Sequence, residues 1–129
     1  MSLPREVIAA PLAAASDLPA SMAVRGGAFV FVSGLTAFDP ATSAAIRGTT
    51  SSETRQILEN LKLILEASGS SLDRVVKVNV LLHSMLEASN MNEVYARFFP
   101  DPPPARTTVE VAALPKGFKV EIEAIARRP

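Results

Sequence analysis

The residues best equipped for chemistry lie near the C-terminus, in PPPARTTVEVAALPKGFKVEIEAIA, Pro102 to Ala126. Arg106, Thr108, Glu110, Lys119, Glu121 and Glu123 interrupt two otherwise apolar, β-branched runs. A guanidinium on a strand is a good carboxylate binder, because its fork donates two parallel hydrogen bonds. A carboxylate nearby can hold and activate a water. Together they point to chemistry on a small carboxylic acid. A solvated polar face or subunit salt bridges would leave the same pattern. A buried charge without a partner is costly, so Arg106 should meet Glu121, Glu110 or an anionic ligand.

These residues need elements to position them. Ala105–Ala113 and Phe118–Ala126 read as strands, and Leu114–Gly117 as the turn of a hairpin between them. Alternation then places Thr107, Val109 and Val111 with Val120 and Ile122 on the face under the helices. Arg106, Thr108, Glu110, Lys119, Glu121 and Glu123 share the other face. Upstream, Met22–Arg25 and Ala28–Ser33 read as a hairpin turning at Gly26-Gly27. A short strand is expected at Arg5–Ala9, and 36–48 reads as loop. One helix is predicted from Thr50, with Thr50 and Glu53 as a capping box. Its stripe is Ile57, Leu58, Leu61, Ile64, Leu65 and Ser68, and Gly69 ends it. Val75–His83 is a strand. A second helix is predicted from Ser84, capped through Glu87, with Met91, Val94, Tyr95 and Phe98 buried. Tyr95 is assigned to the core. Pro100 and Pro102–Pro104 end this helix and lead stiffly into Arg106.

Two helices cover only one face of such a sheet, yet the strands are apolar on both. A homo-oligomer packing sheet against sheet is the expected solution.

The totals narrow the function classes. The 129 residues fit a single domain, 1–129. The chain is 48% hydrophobic and 20% charged, which fits a globular protein. Thirteen basic residues balance 13 acidic ones, leaving no electrostatic footprint for nucleic acid or an anionic membrane. With no cysteine and one histidine, His83, a thiol nucleophile and a His- or Cys-based metal site are excluded within one chain. No metal or organic cofactor is expected. No apolar run is long enough to span a bilayer, and the N-terminus does not read as a signal peptide. A cytoplasmic location is the expectation.

Four blocks resemble the RidA/YjgF family of imine and enamine deaminases, also described as L-PSP endoribonucleases or translation inhibitors. They are VSGLTAFDP (Val32–Pro40), Glu53–Leu82, MNEVYARFFP (Met91–Pro100) and Pro103–Ala126. The resemblance implies a chorismate-mutase-like α+β fold: a mixed sheet, two helices on one face, and a homotrimer with a barrel-like interior and sites between subunits. It assigns Arg106 to the carboxylate of a 2-imino acid and Glu121 to the hydrolytic water. It gives Glu123 a structural role, and substrate contacts to Thr108 (through its backbone), Ser33 and Asn92. The implied reaction is hydrolysis of 2-imino or enamine acids to 2-oxo acids and ammonia. A non-catalytic trimer that binds small carboxylic acids is the alternative, and an endoribonuclease a third reading. Two positions depart from the family pattern. Ala20 stands where the cleft tyrosine is usual, and Leu35 where a glutamine is common. Both are expected to make the pocket more apolar or roomier.

Overall fold

A computed structural model describes residues 5–8 and 18–129. The strands are β1 (Glu6–Val7), β2 (Ala23–Gly26), β3 (Phe29–Leu35), β4 (Val75–Leu82), β5 (Ala105–Glu110) and β6 (Val120–Arg127). The helices are α1 (Thr50–Ala67) and α2 (Ala88–Phe98). One six-stranded sheet runs β1-β2-β3-β6-β4-β5. Every pairing is antiparallel except β4–β5, which α2 connects as a parallel crossover. The fold is the expected α+β mixed sheet with two helices. The predicted strand at Arg5–Ala9 appears as β1, and Ala9 lies outside the described residues.

The apolar stripe of α1 packs as its period requires. Ile57, Leu58, Leu61, Ile64 and Leu65 are fully buried against Val30, Val78, Val80, Val120 and Ile122 of the sheet. Burying side chains of this size stabilises by about 1.5–3 kcal/mol each. Gly69 closes the helix at φ 81°, a conformation that favours glycine.

Several local expectations shift. The first hairpin pairs Gly26 with Phe29, so its loop is Gly27-Ala28, with Gly27 at φ 56°. The α1 cap is Thr49, not Thr50, and its box partner is Ser52, because Glu53 is drawn inward. Glu53 accepts from the Gly48 N–H at 3.0 Å and the Lys119 N–H at 2.8 Å. It therefore ties the start of α1 to the entrance of β6. The second helix opens with a 3-10 turn, Met85–Glu87, because Ser84 accepts from the N–H of Leu86, two residues on. Phe99, past the end of α2, takes the buried place expected of Phe98, which is only partly buried.

The larger correction concerns the last two strands, which do not form a hairpin. β5 pairs with β4 alone, while β6 lies between β3 and β4. Neighbouring strands are roughly 4.8 Å apart, and residues 111–119 are long enough to carry the chain past the end of β4. Pro115–Gly117 forms a 3-10 turn within that crossing.

The pairing inverts the expected faces of β5. Its parallel register aligns Arg106 with Val78, Thr108 with Val80 and Glu110 with Leu82. Those three β4 residues are buried beneath the helices, so Arg106, Thr108 and Glu110 lie on the helix side, at the sheet edge. Thr107 and Val109 align with Asn79 and Leu81 on the open face, and Val109 is 42% exposed. Glu121 and Glu123 are also opposite Leu81 and Asn79, hence on the open face.

Candidate functional site

Arg106 stands at the mouth of a cleft of about 530 Å³ that also contains Asn92, Tyr95, Phe99, Asp101 and Pro104. Two elements position it. The edge strand β5 presents its backbone, and α2 offers Met91 and Tyr95 at i and i+4 on one side, with Phe99 just past its end. The guanidinium carbon sits 4.6 Å from the centre of the Tyr95 ring, and one terminal nitrogen is 3.8 Å from the Met91 sulfur. Among the described residues no carboxylate pairs with Arg106. Glu110 instead accepts from the Met85 N–H at 2.9 Å, capping the turn before α2. The Thr108 hydroxyl, two residues along the same face, is buried and meets no hydrogen-bond partner among the described residues.

Glu121 occupies a different pocket, of about 230 Å³, walled by Leu18, Met22, Phe38, Pro115 and Phe118. The β3 strand shapes this position. Between Val32–Ala124 and Leu35–Ile122 the pairing shifts, so β3 carries an extra residue around Ser33–Gly34. The missing side chain of Gly34 makes room for Glu121: a β-carbon there would collide with the Glu121 carboxylate. Burial, and then the neighbouring Glu123 charge, push the Glu121 carboxyl above the usual glutamate range.

Ser33 lines a third cleft, of about 300 Å³, on the open face with Lys77, Asn79 and Glu123. Its hydroxyl donates to the Ser21 carbonyl at 2.6 Å, a tie between β3 and the chain before β2. Glu123 accepts from the Asn79 amide at 2.9 Å, and Lys77 donates to Thr107 at 2.8 Å. Leu35 is a core residue, 3% exposed, so it does not enlarge a pocket.

The chain thus brings Arg106 and Asn92 into one cleft and sets Thr108 on the same face. It does not bring Glu121 or Ser33 to them. Arg106 and Glu121 lie on opposite faces of the sheet, two strands apart with β4 between. Two contributors were not assigned from sequence. A glycine inside a strand run signals a bulge or a close approach, which would have found Gly34. The i, i+4 spacing of Met91 and Tyr95 gave their burial but not their contact with a strand beyond the proline run.

Residues 9–128 match the family described as Endoribonuclease L-PSP. A RutC family protein of Pyrococcus horikoshii is 49% identical over 108 residues, covering 84% of this chain and 86% of its own. A mouse 2-iminobutanoate/2-iminopropanoate deaminase is 41% identical over 125 residues, covering 97% and 93%. Among solved structures, E. coli TdcF with bound serine superimposes with a TM-score of 0.87 at 35% identity, covering 96% of this chain and 99% of that one.

Proposed function

The chain belongs to the Endoribonuclease L-PSP family, which includes proteins named as imine deaminases, and on that premise we propose that it hydrolyses 2-imino acids to 2-oxo acids and ammonia. The observation that carries this reading is the Arg106 guanidinium, held at a cleft with no carboxylate partner among the described residues. Such a fork suits the carboxylate of a small acid. The bound serine of TdcF is an acid of that size.

Arg106 and Glu121 lie on opposite faces of the sheet, which supports a site shared between chains. We propose a homotrimer in which Arg106 of one subunit faces Glu121 of its neighbour. The substrate carboxylate docks on Arg106. Glu121 takes a proton from water as the water oxygen bonds to the imine carbon, and returns it to the nitrogen to give a neutral carbinolamine. Glu121 then takes the hydroxyl proton and passes it to the nitrogen as the C–N bond breaks, so the carbonyl forms and ammonia leaves. Both protons of the water end on ammonia and Glu121 regains its starting form, so no cofactor is consumed. A carboxyl raised above its usual range suits both halves of this exchange better than an ordinary glutamate. In this reading Asn92, which lines the Arg106 cleft, and the Thr108 backbone orient the substrate, whereas the Ser33 hydroxyl acts first on the fold, through Ser21.

The test is an imine-trapping assay. An L-amino acid oxidase supplies 2-imino acids, and semicarbazide captures those that survive. Wild type lowers capture, and Arg106→Ala loses at least about a hundredfold in kcat/KM, as expected when a charge-assisted pair is removed. An Arg106→Ala protein with full activity overturns the mechanism. A wild type that binds 2-oxobutanoate but never lowers capture is a carboxylic-acid binder and not a deaminase.

A further inference from the structure

Tyr95 has the burial of a core residue, 5% exposed, but its ring does not pack on carbon alone. The Arg106 guanidinium covers it at 4.6 Å. Phe99 packs beside the ring, tilted, with centroids 4.7 Å apart, and Met91 is fully buried one turn earlier. Met91 and Tyr95 on α2 both meet Arg106, and Phe99, just past the end of the helix, backs the tyrosine. Arginine on an exposed edge strand otherwise has many rotamers. Here the ring quadrupole holds the cation in place. Among the described residues the guanidinium pairs with no carboxylate.

We propose that the Tyr95 ring is a positioning residue: it holds the Arg106 guanidinium over the cleft before any ligand arrives, and so sets the affinity for carboxylates. This rests on the carboxylate-binding reading of Arg106 given above. The hydroxyl has no part in it. It is buried and meets no hydrogen-bond partner among the described residues, and burial pushes the phenol up, against the pull of Arg106. The tyrosine therefore stays neutral and never competes with the substrate as an anion.

The experiment compares wild type, Tyr95→Phe, Tyr95→Leu and Tyr95→Met, with calorimetric titration of 2-oxobutanoate and steady-state imine turnover. Tyr95→Phe keeps the ring and should bind as wild type. Tyr95→Leu and Tyr95→Met should weaken binding and raise KM by about tenfold, the scale of a desolvated cation–π contact, with kcat within about twofold. NMR adds a readout that neither volume nor stability explains: the Arg106 side-chain protons should show a ring-current shift in wild type and Tyr95→Phe, and lose it in Tyr95→Leu. Equal affinity in Leu, Met and wild type overturns the proposal, as does a Phe variant as weak as Leu. If Leu and Met fail to fold, absence of the ring-current shift in wild type overturns it and its presence with normal Phe binding supports it. A wild type that turns over imines while the Leu variant matches it defeats only this inference. A wild type that neither binds 2-oxobutanoate nor lowers imine capture defeats the functional reading, and this inference with it.

Discussion

At the scale of single residues, Glu121 should be visible in the pH dependence. Its carboxyl is raised in the folded protein. As the base in water addition it must be ionised, so the acid limb of kcat/KM should lie above the ordinary glutamate range and vanish in Glu121→Gln. That variant should lose about 10²–10⁴-fold in rate. Stability moves the other way. The folded state keeps its proton to a higher pH than the unfolded state, so it binds more protons between the two pKa values, and stability falls as pH rises through that window. Glu121→Gln should be the more stable protein near neutrality, and the gap should close once pH falls below the unfolded carboxyl range. Denaturation at two pH values checks the sign. Gly34 offers a second probe. Its φ is not positive, so alanine is compatible with the backbone, but the new methyl displaces the Glu121 carboxylate. Gly34→Ala should lower kcat by about tenfold while the melting temperature changes little, because the end of a flexible side chain gives way. Arg106 and Glu121 were legible by residue type. Which face each occupies was not, because alternation fixes faces only once the strand's neighbours are known.

At the scale of elements, what was local was legible. The α1 stripe, Gly69 at its end and the proline stop after α2 follow from spacing within one segment. The error came where pairing is long-range. A Leu-Pro-Lys-Gly turn between two apolar runs suggests a hairpin, and nothing in residues 105–126 alone reveals that β4 separates them. Glu53 shows the same limit. Its position three residues after Thr50 made it a capping candidate, yet its two oxygens serve Gly48 and, across the fold, Lys119. Glu53→Ala strands both N–H groups and leaves a buried void. The expected loss is about 2–4 kcal/mol, read from the midpoint of urea unfolding. Glu53→Gln keeps one acceptor and should lose less.

At the scale of the whole molecule, the sheet has one face unlike the other. The helices cover Val78, Val80, Val120 and Ile122 completely, while Phe31 and Val109 on the open face are 42% exposed. The proposed trimer covers that face, and it also resolves the separation of Arg106 from Glu121. If each site takes Arg106 from one chain and Glu121 from the next, the two inactivating substitutions damage different halves of it. Arg106→Ala subunits still supply Glu121, and Glu121→Ala subunits still supply Arg106. Each mixed ring then holds one intact site out of three. Random reassortment of an equal mixture makes about three-quarters of the rings mixed, so about a quarter of wild-type activity should return. The two proteins are inactive apart, and activity should appear only after unfolding and refolding them together, not on simple mixing of slowly exchanging trimers. Sedimentation run beside the assay should give the trimer mass in every sample. A refolded mixture that is trimeric and still inactive would mean that Arg106 and Glu121 do not meet across a subunit boundary.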